Sequence, residues 1–236
     1  MSLVPKLAVV MPVFNEQASI RKVVREWFEE IQNWTEDFVF IVLDDGSLDA
    51  TRALLARLEQ ELGPRLLVHS QANQGHGQTC LQGYRQALKL GAPWVLQIDS
   101  DGQCDPQYFF RFWNQRGKYD VILGNRARRD DGWQRVMASH VLRLTILLFA
   151  KTICRDANVP YRLMSAASLQ RWVEKVPSGF FLSNVALAIL MKRDSSLRHG
   201  FVPICFRERY GGEPSVPFRT FGYRALELIR SLRYLD

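Results

Sequence analysis

Two carboxylates one residue apart, Asp99 and Asp101, are the groups in this chain best suited to chemistry. They follow the apolar segment 94–98, and the amide of Gln103 lies two residues further on. Carboxylate and amide oxygens are hard ligands of the kind that Mg²⁺ and Mn²⁺ prefer, and these ions also keep water and phosphate oxygens. The spacing therefore predicts a divalent cation that is bound by Asp99, Asp101 and Gln103. Asp101 is expected to face the cation directly, whereas Asp99 faces either the cation or a ribose.

A cation at this position would bridge a diphosphate and offset the charge that develops as a nucleoside diphosphate leaves. Two other apolar segments, 7–14 and 38–43, also run into polar loops. The carboxylates of Asp44 and Asp45 can accept hydrogen bonds from a base N–H or from ribose hydroxyls. The wall against which the base lies is predicted to consist of Pro12, Phe14, Asn15 and Glu16.

Apolar segments alternate with segments of helical periodicity through the first half of the chain. Strands are predicted at 7–14, 38–43, 66–69, 94–98 and 119–124, and helices at 19–34, 49–62, 78–90 and 106–116. This alternation predicts an α/β fold with a mostly parallel sheet, helices on both faces and right-handed crossovers. Ligands of such sheets bind beyond the carboxyl ends of the strands. An isolated Asp-Gly loop is more often a capped turn, but three acidic loops along one edge favour a functional site.

The second half of the chain changes character after Asn125. We predict, in order, a charged loop, a long amphipathic helix, a loop with a short strand, two helices, an edge strand marked by Pro203 and a terminal helix. These elements correspond to 126–132, 133–153, 155–164, 166–176, 183–192, 201–206 and 217–234. The terminal helix, in which arginines separate apolar residues, favours either an interfacial membrane helix or packing on its own domain. We expect one domain over residues 1–236, with its halves divided at residue 124.

The formal net charge of +7 is unevenly distributed. Residues 1–123 carry 12 Lys and Arg against 15 Asp and Glu, whereas residues 124–163 carry 8 against 3. A basic surplus suits nucleic acid, an anionic membrane surface or a phosphorylated substrate, and composition does not choose among them. The four cysteines form no CxxC pair, which favours reduced thiols in a cytosolic setting. We find neither a secretory leader nor an apolar run of about 18 residues that could span a membrane.

Four ordered motifs, at 11–16, 44–51, 73–77 and 99–103, resemble the nucleotide-sugar half of family 2 glycosyltransferases with the GT-A fold. The second half resembles, more loosely, the polyprenyl-phosphate branch that includes dolichol-phosphate mannose synthase. The resemblance implies a Rossmann-like GT-A domain that transfers a sugar, with inversion, from a nucleoside-diphosphate sugar in the presence of Mg²⁺ or Mn²⁺. It implies no nucleic-acid partner, and it leaves the oligomeric state open.

The resemblance also implies roles for individual residues. Ser100 and the turn glycines Gly75 and Gly77 would contact the nucleotide. Phosphates would be approached by Arg126 or Arg128 and by Arg162, and a mobile loop near the acceptor would contain Arg207, Arg209, Gly211 and Gly212. His76 lies in the glycine-rich turn, where a surface histidine is favoured over a nucleotide contact.

The chain departs from the family pattern near the acceptor. Asn158-Val159-Pro160-Tyr161 replaces Thr-Ser-Gly-Phe, and Asn184 stands where many members have a Glu. A phosphate nucleophile needs no strong base, whereas a sugar hydroxyl does. The missing Glu favours a polyprenyl-phosphate acceptor. Such an acceptor would place the protein in the cytoplasm, in peripheral contact with the inner face of the membrane. If Asp156 lies near the anomeric carbon, a glycan hydroxyl in polysaccharide or lipopolysaccharide synthesis remains an alternative.

A further alternative is a nucleotide-binding protein without turnover. The intact pair of Asp99 and Asp101 speaks against it.

Overall fold

The molecule is built on a seven-stranded sheet with the strand order β3-β2-β1-β4-β6-β5-β7. The computed structural model describes residues 4–126, 147, 152, 156–176, 179–180 and 182–211. The strands are β1 (Leu7–Val13), β2 (Phe38–Asp44), β3 (Leu66–Ser70), β4 (Trp94–Gln97), β5 (Val121–Arg126), β6 (Arg162–Ser165) and β7 (His199–Ile204). Among these described strands, β6 runs antiparallel to both of its neighbours, and all the other pairings are parallel. The prediction of a mostly parallel α/β sheet is confirmed.

The described helices connect successive strands or follow β6. They are α1 (Ile20–Gln32), α2 (Thr51–Leu62), α3 (His76–Lys89), α4 (Phe109–Trp113), α5 (Ala166–Val173) and α6 (Ser183–Arg193). The predicted helix at 106–116 is shorter than expected, because a 3-10 turn at Pro106–Tyr108 precedes α4. The Asp105 side chain accepts a hydrogen bond from the Gln107 backbone and caps that turn.

The central strands are buried on both faces. Every residue of β1 and β2 is buried, as expected when helices cover a parallel sheet on both sides. Helix α3 approaches the sheet closely at Gly83, where an added Cβ would lie 2.3 Å from Val10 and 2.8 Å from Leu43. This close approach packs the middle of α3 directly against β1 and β2.

The register brings the polar loops to one edge of the sheet. Val13 pairs with Asp44 in the neighbouring strand, and Val10 pairs with Gln97 on the other side. The chain therefore leaves β1, β2 and β4 on the same side of the sheet, where the carboxyl ends of these parallel strands lie, as predicted. Pro203 lies in β7, which is an edge strand, so that prediction is also confirmed.

Several predictions fall outside the described residues. They concern Arg128, Gly212, the amphipathic helix at 133–153 and the terminal helix at 217–234. The division of one domain at residue 124 stays a prediction. None of the described helices combines the length and the apolar character that crossing a membrane requires.

Candidate active site

The loops that follow β1 and β2 are joined by hydrogen bonds. The backbone N–H of Asn15 donates to Ser47 Oγ (2.9 Å), and the N–H of Leu48 donates to Asn15 Oδ1 (2.8 Å). The N–H of Glu16 donates to Thr51 Oγ1 (2.8 Å). Asn15 has a positive φ of 53°, a conformation that Asn tolerates better than most residues. Of the residues predicted to form the wall for the base, Asn15 and Glu16 therefore lie in a braced pair of loops, while Pro12 in β1 is buried and Phe14 is half-buried.

Asp45 organises the glycine-rich turn that precedes α3. Its Oδ1 accepts from Gln71 Nε2 (2.9 Å) and from the Gln74 N–H (2.8 Å), and its Oδ2 accepts from the Gly75 N–H (2.9 Å). Both Asp45 and Asp44 are buried. In this arrangement Asp45 shapes the turn, while the predicted contacts of Asp44 and Asp45 with a nucleoside stay predictions.

Asp99 and Asp101 lie together where the chain leaves β4. Gly102 has a φ of +83°, which lets the loop turn tightly, and the Gln103 N–H donates to Asp101 Oδ1 (3.0 Å). Burial, and then the neighbouring charge of Asp99, raise the pKa of Asp101. Two carboxylates held this close repel each other, and a cation would relieve that repulsion.

The donor set fits a magnesium or manganese ion that also binds phosphate. Among the described residues, no group of three or more His, Cys, Asp or Glu side chains could hold a metal ion. Mg²⁺ is commonly bound through one or two carboxylates, with substrate phosphates and water completing its shell. The pair of Asp99 and Asp101 meets that requirement, and the part of Gln103 in it stays a prediction.

His76 is closer to the predicted cation site than the sequence suggested. Its Nε2 lies 3.8 Å from Asp99 Oδ1 and 3.6 Å from the Cys80 sulfur. The Cys80 sulfur, and then the Asp99 carboxylate, raise the pKa of His76. His76 lies on the surface, as predicted, and its half-exposed ring is also close to Asp99. The signal was its position in the first turn of a helix that begins at the functional edge.

The 206–211 segment, which follows β7, lies against the loop after β4. The Arg207 N–H donates to the Gln103 carbonyl (3.0 Å), and the Tyr210 N–H donates to the Asp101 carbonyl (3.1 Å). The Tyr210 ring lies over Gly102, where an added Cβ would come within 2.5 Å of the ring. The predicted acceptor loop is thus in contact with the predicted cation loop.

The two arginines of the 206–211 segment have different partners. The Arg207 guanidinium contacts Asp105, Glu26 Oε2 (2.9 Å) and the Tyr210 hydroxyl (2.6 Å). These contacts attach the segment to α1 and to the turn before α4. Arg207 therefore anchors the segment outside the carboxylate pair.

Arg209 enters the carboxylate cluster itself. Its guanidinium pairs with Glu16, and its Nη1 lies 3.7 Å from Asp101 Oδ2. Burial raises the pKa of Glu16 even though Ser19 and Arg209 act in the opposite direction. A positive charge on the chain therefore neutralises part of the negative charge that a divalent cation would otherwise meet.

Arg126 and Asp156 form a bidentate ion pair. Arg126 Nε lies 2.6 Å from Asp156 Oδ2, and Nη2 lies 2.8 Å from Oδ1. Asp156 is buried, and the Arg126 guanidinium also lies 5.3 Å from the centre of the Phe206 ring. Both carboxylate oxygens of Asp156 are therefore engaged by one guanidinium.

Arg162 is buried within the acceptor half, with 1% of its surface exposed. Its guanidinium donates to the carbonyls of Asn184 (3.0 Å), Ala157 (3.1 Å) and Val159 (3.0 Å from Nε). These bonds brace the segment that contains Asp156 against α6. The predicted contact of Arg162 with a phosphate stays a prediction that this placement does not favour.

Sequence reasoning missed Gln97, although its position carried a signal. It is a fully buried amide in an otherwise apolar strand, and its Nε2 donates to Asp99 Oδ1 (3.0 Å). A buried polar side chain is usually hydrogen-bonded, so a glutamine two residues before the carboxylate pair indicated a partner there.

The family model described as glycosyl transferase family 2 matches residues 8–175. An undecaprenyl-phosphate 4-deoxy-4-formamido-L-arabinose transferase of Serratia proteamaculans is 28% identical over 145 residues, which are 61% of this chain and 44% of that protein. The enzyme of the same name from an Enterobacter species is 27% identical over 143 residues, or 60% of this chain and 43% of that protein. The matched region is thus less than half the length of these relatives.

Solved structures show the same fold. Glucosyl-3-phosphoglycerate synthase from Mycobacterium tuberculosis, in complex with Mn²⁺, UDP and phosphoglyceric acid, superposes with a TM-score of 0.72 at 17% identity. That match covers 98% of this chain and 78% of the synthase. The synthase with Mg²⁺ and UDP gives a TM-score of 0.69 at 18% identity, covering 98% and 79%. The predicted GT-A fold is confirmed.

Proposed function

The chain belongs to glycosyl transferase family 2, and on this premise we propose that it transfers a sugar, with inversion, from a nucleoside-diphosphate sugar to a polyprenyl phosphate. The observation that carries the proposal is the arrangement at the sheet edge. The pair of Asp99 and Asp101 lies beside the loops after β1 and β2, with Arg209 and His76 in contact with it. Carboxylates for a cation and positive groups for phosphates are therefore present together.

On the donor side, the loops after β1, β2 and β3 would bind the nucleoside, and Asp99 and Asp101 would hold Mg²⁺ or Mn²⁺. The bound ion would supply a Lewis acid that offsets the charge on the leaving diphosphate. Arg209 already lies among the carboxylates and carries a charge that can meet the same phosphates. Structures of the mycobacterial synthase with UDP and Mn²⁺ or Mg²⁺ support this choice of donor and ion.

On the acceptor side, the state of Asp156 favours a phosphate over a hydroxyl. Transfer to a hydroxyl requires a positioned general base, and Asp156 is instead held through both oxygens in a bidentate ion pair with Arg126, which leaves only the remaining lone pairs for a proton. A phosphate is already anionic near neutral pH and needs no such base. The two curated relatives are named for transfer to undecaprenyl phosphate, which is a polyprenyl phosphate.

A polyprenyl chain places the acceptor in a membrane, so the reaction would take place at a membrane surface. The excess of basic residues after residue 123 suits an anionic lipid face. We place the protein in the cytoplasm, where nucleoside-diphosphate sugars are available, in peripheral contact with the inner face of the membrane.

A transfer assay tests the proposal. The chain is incubated with labelled UDP-sugars or GDP-sugars and Mn²⁺, and polyprenyl phosphate in detergent is offered beside soluble glycans. We expect labelled lipid that forms only with the metal present. If only the glycan is labelled, the acceptor is a glycan hydroxyl and the polyprenyl-phosphate proposal is wrong. If calorimetry shows that the chain binds neither UDP nor GDP in the presence of Mn²⁺, the proposed donor chemistry is wrong as well.

A further inference from the structure

A row of buried polar side chains leads from the helices of the acceptor half to Asp99. The Tyr84 hydroxyl on α3 donates to Asn184 Oδ1 on α6 (2.8 Å). Asn184 Nδ2 donates to Gln97 Oε1 on β4 (3.2 Å), and Gln97 Nε2 donates to Asp99 Oδ1 (3.0 Å). Tyr84 and Gln97 are 0% exposed, and Asn184 is 3% exposed. Water therefore has little access to any link before Asp99.

The carboxylate at the end fixes the direction of the whole row. An ionised carboxylate only accepts hydrogen bonds, so Gln97 must turn its NH₂ group toward Asp99 and its oxygen toward Asn184. Asn184 must then present its NH₂ group to Gln97 and its oxygen to Tyr84, whose hydroxyl must donate. Each link has one orientation, and reversing any link would set two donors or two acceptors against each other.

The row does more than satisfy buried atoms, because Asp99 does not need it for solvation. The Asp99 side chain is 28% exposed and can be hydrated from the site. An apolar side chain at position 97 would have avoided burying an amide in a strand whose neighbours are apolar. The amide instead holds Oδ1, which His76 also approaches at 3.8 Å. Among the described residues, no hydrogen bond uses Asp99 Oδ2.

We infer that Gln97 is a positioning residue that fixes the Asp99 carboxylate for the divalent cation, and that Asn184 and Tyr84 act through it. The inference rests on the proposed function, since it assumes that Asp99 meets a cation. The inference also explains why position 184 is an Asn in this chain, whereas many members of the family that it resembles have a Glu there. A carboxylate there could not donate to Gln97, so the row requires an amide.

Manganese binding tests the inference without turnover. The signal of free Mn²⁺ in electron paramagnetic resonance gives its dissociation constant, with and without UDP. Gln97→Met keeps the volume of the side chain and removes the donor, and we expect a rise of about 10–100-fold in that constant, as when an outer partner of a metal ligand is lost. Tyr84→Phe, which removes one oxygen two links away, should raise it about 2–5-fold.

Gln78→Met is the matched control. Gln78 also lies on α3, where its amide contacts Ser183 Oγ and the Phe180 carbonyl (both 3.4 Å), and the row does not include it. A purely structural role predicts that the thermal midpoint falls in all three variants while Mn²⁺ affinity stays constant. We expect the affinity to fall in Gln97→Met and Tyr84→Phe and to hold in Gln78→Met.

The outcomes separate this inference from the proposed function. Failure of the unaltered chain to bind Mn²⁺ overturns both. Binding by the unaltered chain with the same affinity in Gln97→Met overturns the positioning role alone. Should Gln97→Met not fold, Tyr84→Phe decides, and an unchanged dissociation constant in that variant overturns the inference.

Discussion

The loops after β1, β2 and β3 and the 206–211 segment border the same candidate site, but different interactions hold them in place. The loops are joined to one another by hydrogen bonds between neutral N–H donors and side-chain oxygens, as between Asn15 and Ser47 or between Gly75 and Asp45. The 206–211 segment is held by two backbone hydrogen bonds and by ion pairs of Arg207 and Arg209 with acidic side chains. One region is braced internally, whereas the other is held in part by the charge of the site, through Arg209.

From this difference we expect the loops to bind the nucleotide and the 206–211 segment to respond to changes of charge in the site. Loops braced by hydrogen bonds keep their shape whether or not a ligand is bound, as a preorganised nucleoside site requires. A segment attached in part through Glu16 and Asp101 is expected to respond when a cation or a diphosphate changes the charge there. The first region is expected to set nucleotide affinity, and the second to couple cation binding to the acceptor side.

Asp101→Asn should have the largest effect, because Asp101 serves both regions. The amide removes a charged ligand from the proposed cation site and a partner from Arg209. We expect metal-dependent transfer to fall by at least about 100-fold, with the fold intact by circular dichroism. Asp120→Asn is the control, since Asp120 pairs with Arg198 on the surface. Full activity of Asp101→Asn would show that the cation lies elsewhere.

The contrast between the two regions also explains what sequence could predict. The strands, the acidic loops and their common edge were predictable, because apolar runs of strand length alternate with helical periodicity and parallel strands share an edge. Asn15, Glu16, Asp44 and Asp45 were singled out from that rule. Their detailed partners depend on the register between β1 and β2, and a sequence does not give that register.

The contacts missed from the sequence join residues far apart in the chain. Arg209 reaches Glu16 across 193 positions, and Asn184 reaches Gln97 across 87. No local pattern encodes such a distance, so Arg209 was predicted as part of a loop without its carboxylate partners. For Arg162 the same limitation made a predicted contact less favourable. Its charge suggested a phosphate contact, but the guanidinium is buried against backbone carbonyls.

Asp45→Asn should test the braced region by itself. Three donors converge on the two oxygens of Asp45, so an amide must set its NH₂ group against at least one of them. We expect a loss of about 1–3 kcal/mol in the free energy of unfolding, measured by urea denaturation. The loss should not change with added salt. Asp37→Asn, which breaks an exposed pair with Lys6, should cost less than about 0.5 kcal/mol.

Arg209→Gln and Arg207→Gln form a matched pair for the charge-dependent region. Removing the guanidinium 3.7 Å from Asp101 Oδ2 makes the cation site more negative. We expect Arg209→Gln to bind Mn²⁺ about 2–5-fold more tightly in the absence of nucleotide, as loss of a partly exposed pair implies. Arg207→Gln should leave that affinity unchanged, because Arg207 contacts Asp105 and Glu26. If both variants changed the Mn²⁺ affinity equally, the net charge of the segment would matter and not the position of Arg209.

Glu16→Gln should give the smallest effect, and the size of that effect should change with pH. Burial raises the pKa of Glu16 in the folded chain, so the folded state holds this proton more tightly than the unfolded state does. The contribution of Glu16 to stability therefore falls as pH rises from about 4 through the folded pKa, and it is constant above that value. Glutamine does not titrate, so the stability of Glu16→Gln relative to the unaltered chain should rise over the same interval.

Urea denaturation at pH values from about 4 to about 8 measures this difference. Glu61→Gln is the control of opposite sign, because hydrogen bonding to Arg25 lowers the pKa of the exposed Glu61. Its stability relative to the unaltered chain should fall as pH rises through the acid end of the range, up to about the unfolded pKa of Glu, and should be constant above it. A fall in Glu16→Gln as well would mean that the ion pair with Arg209 outweighs burial. The 206–211 segment would then be held firmly to the carboxylates, and a cation would have to displace it before entering.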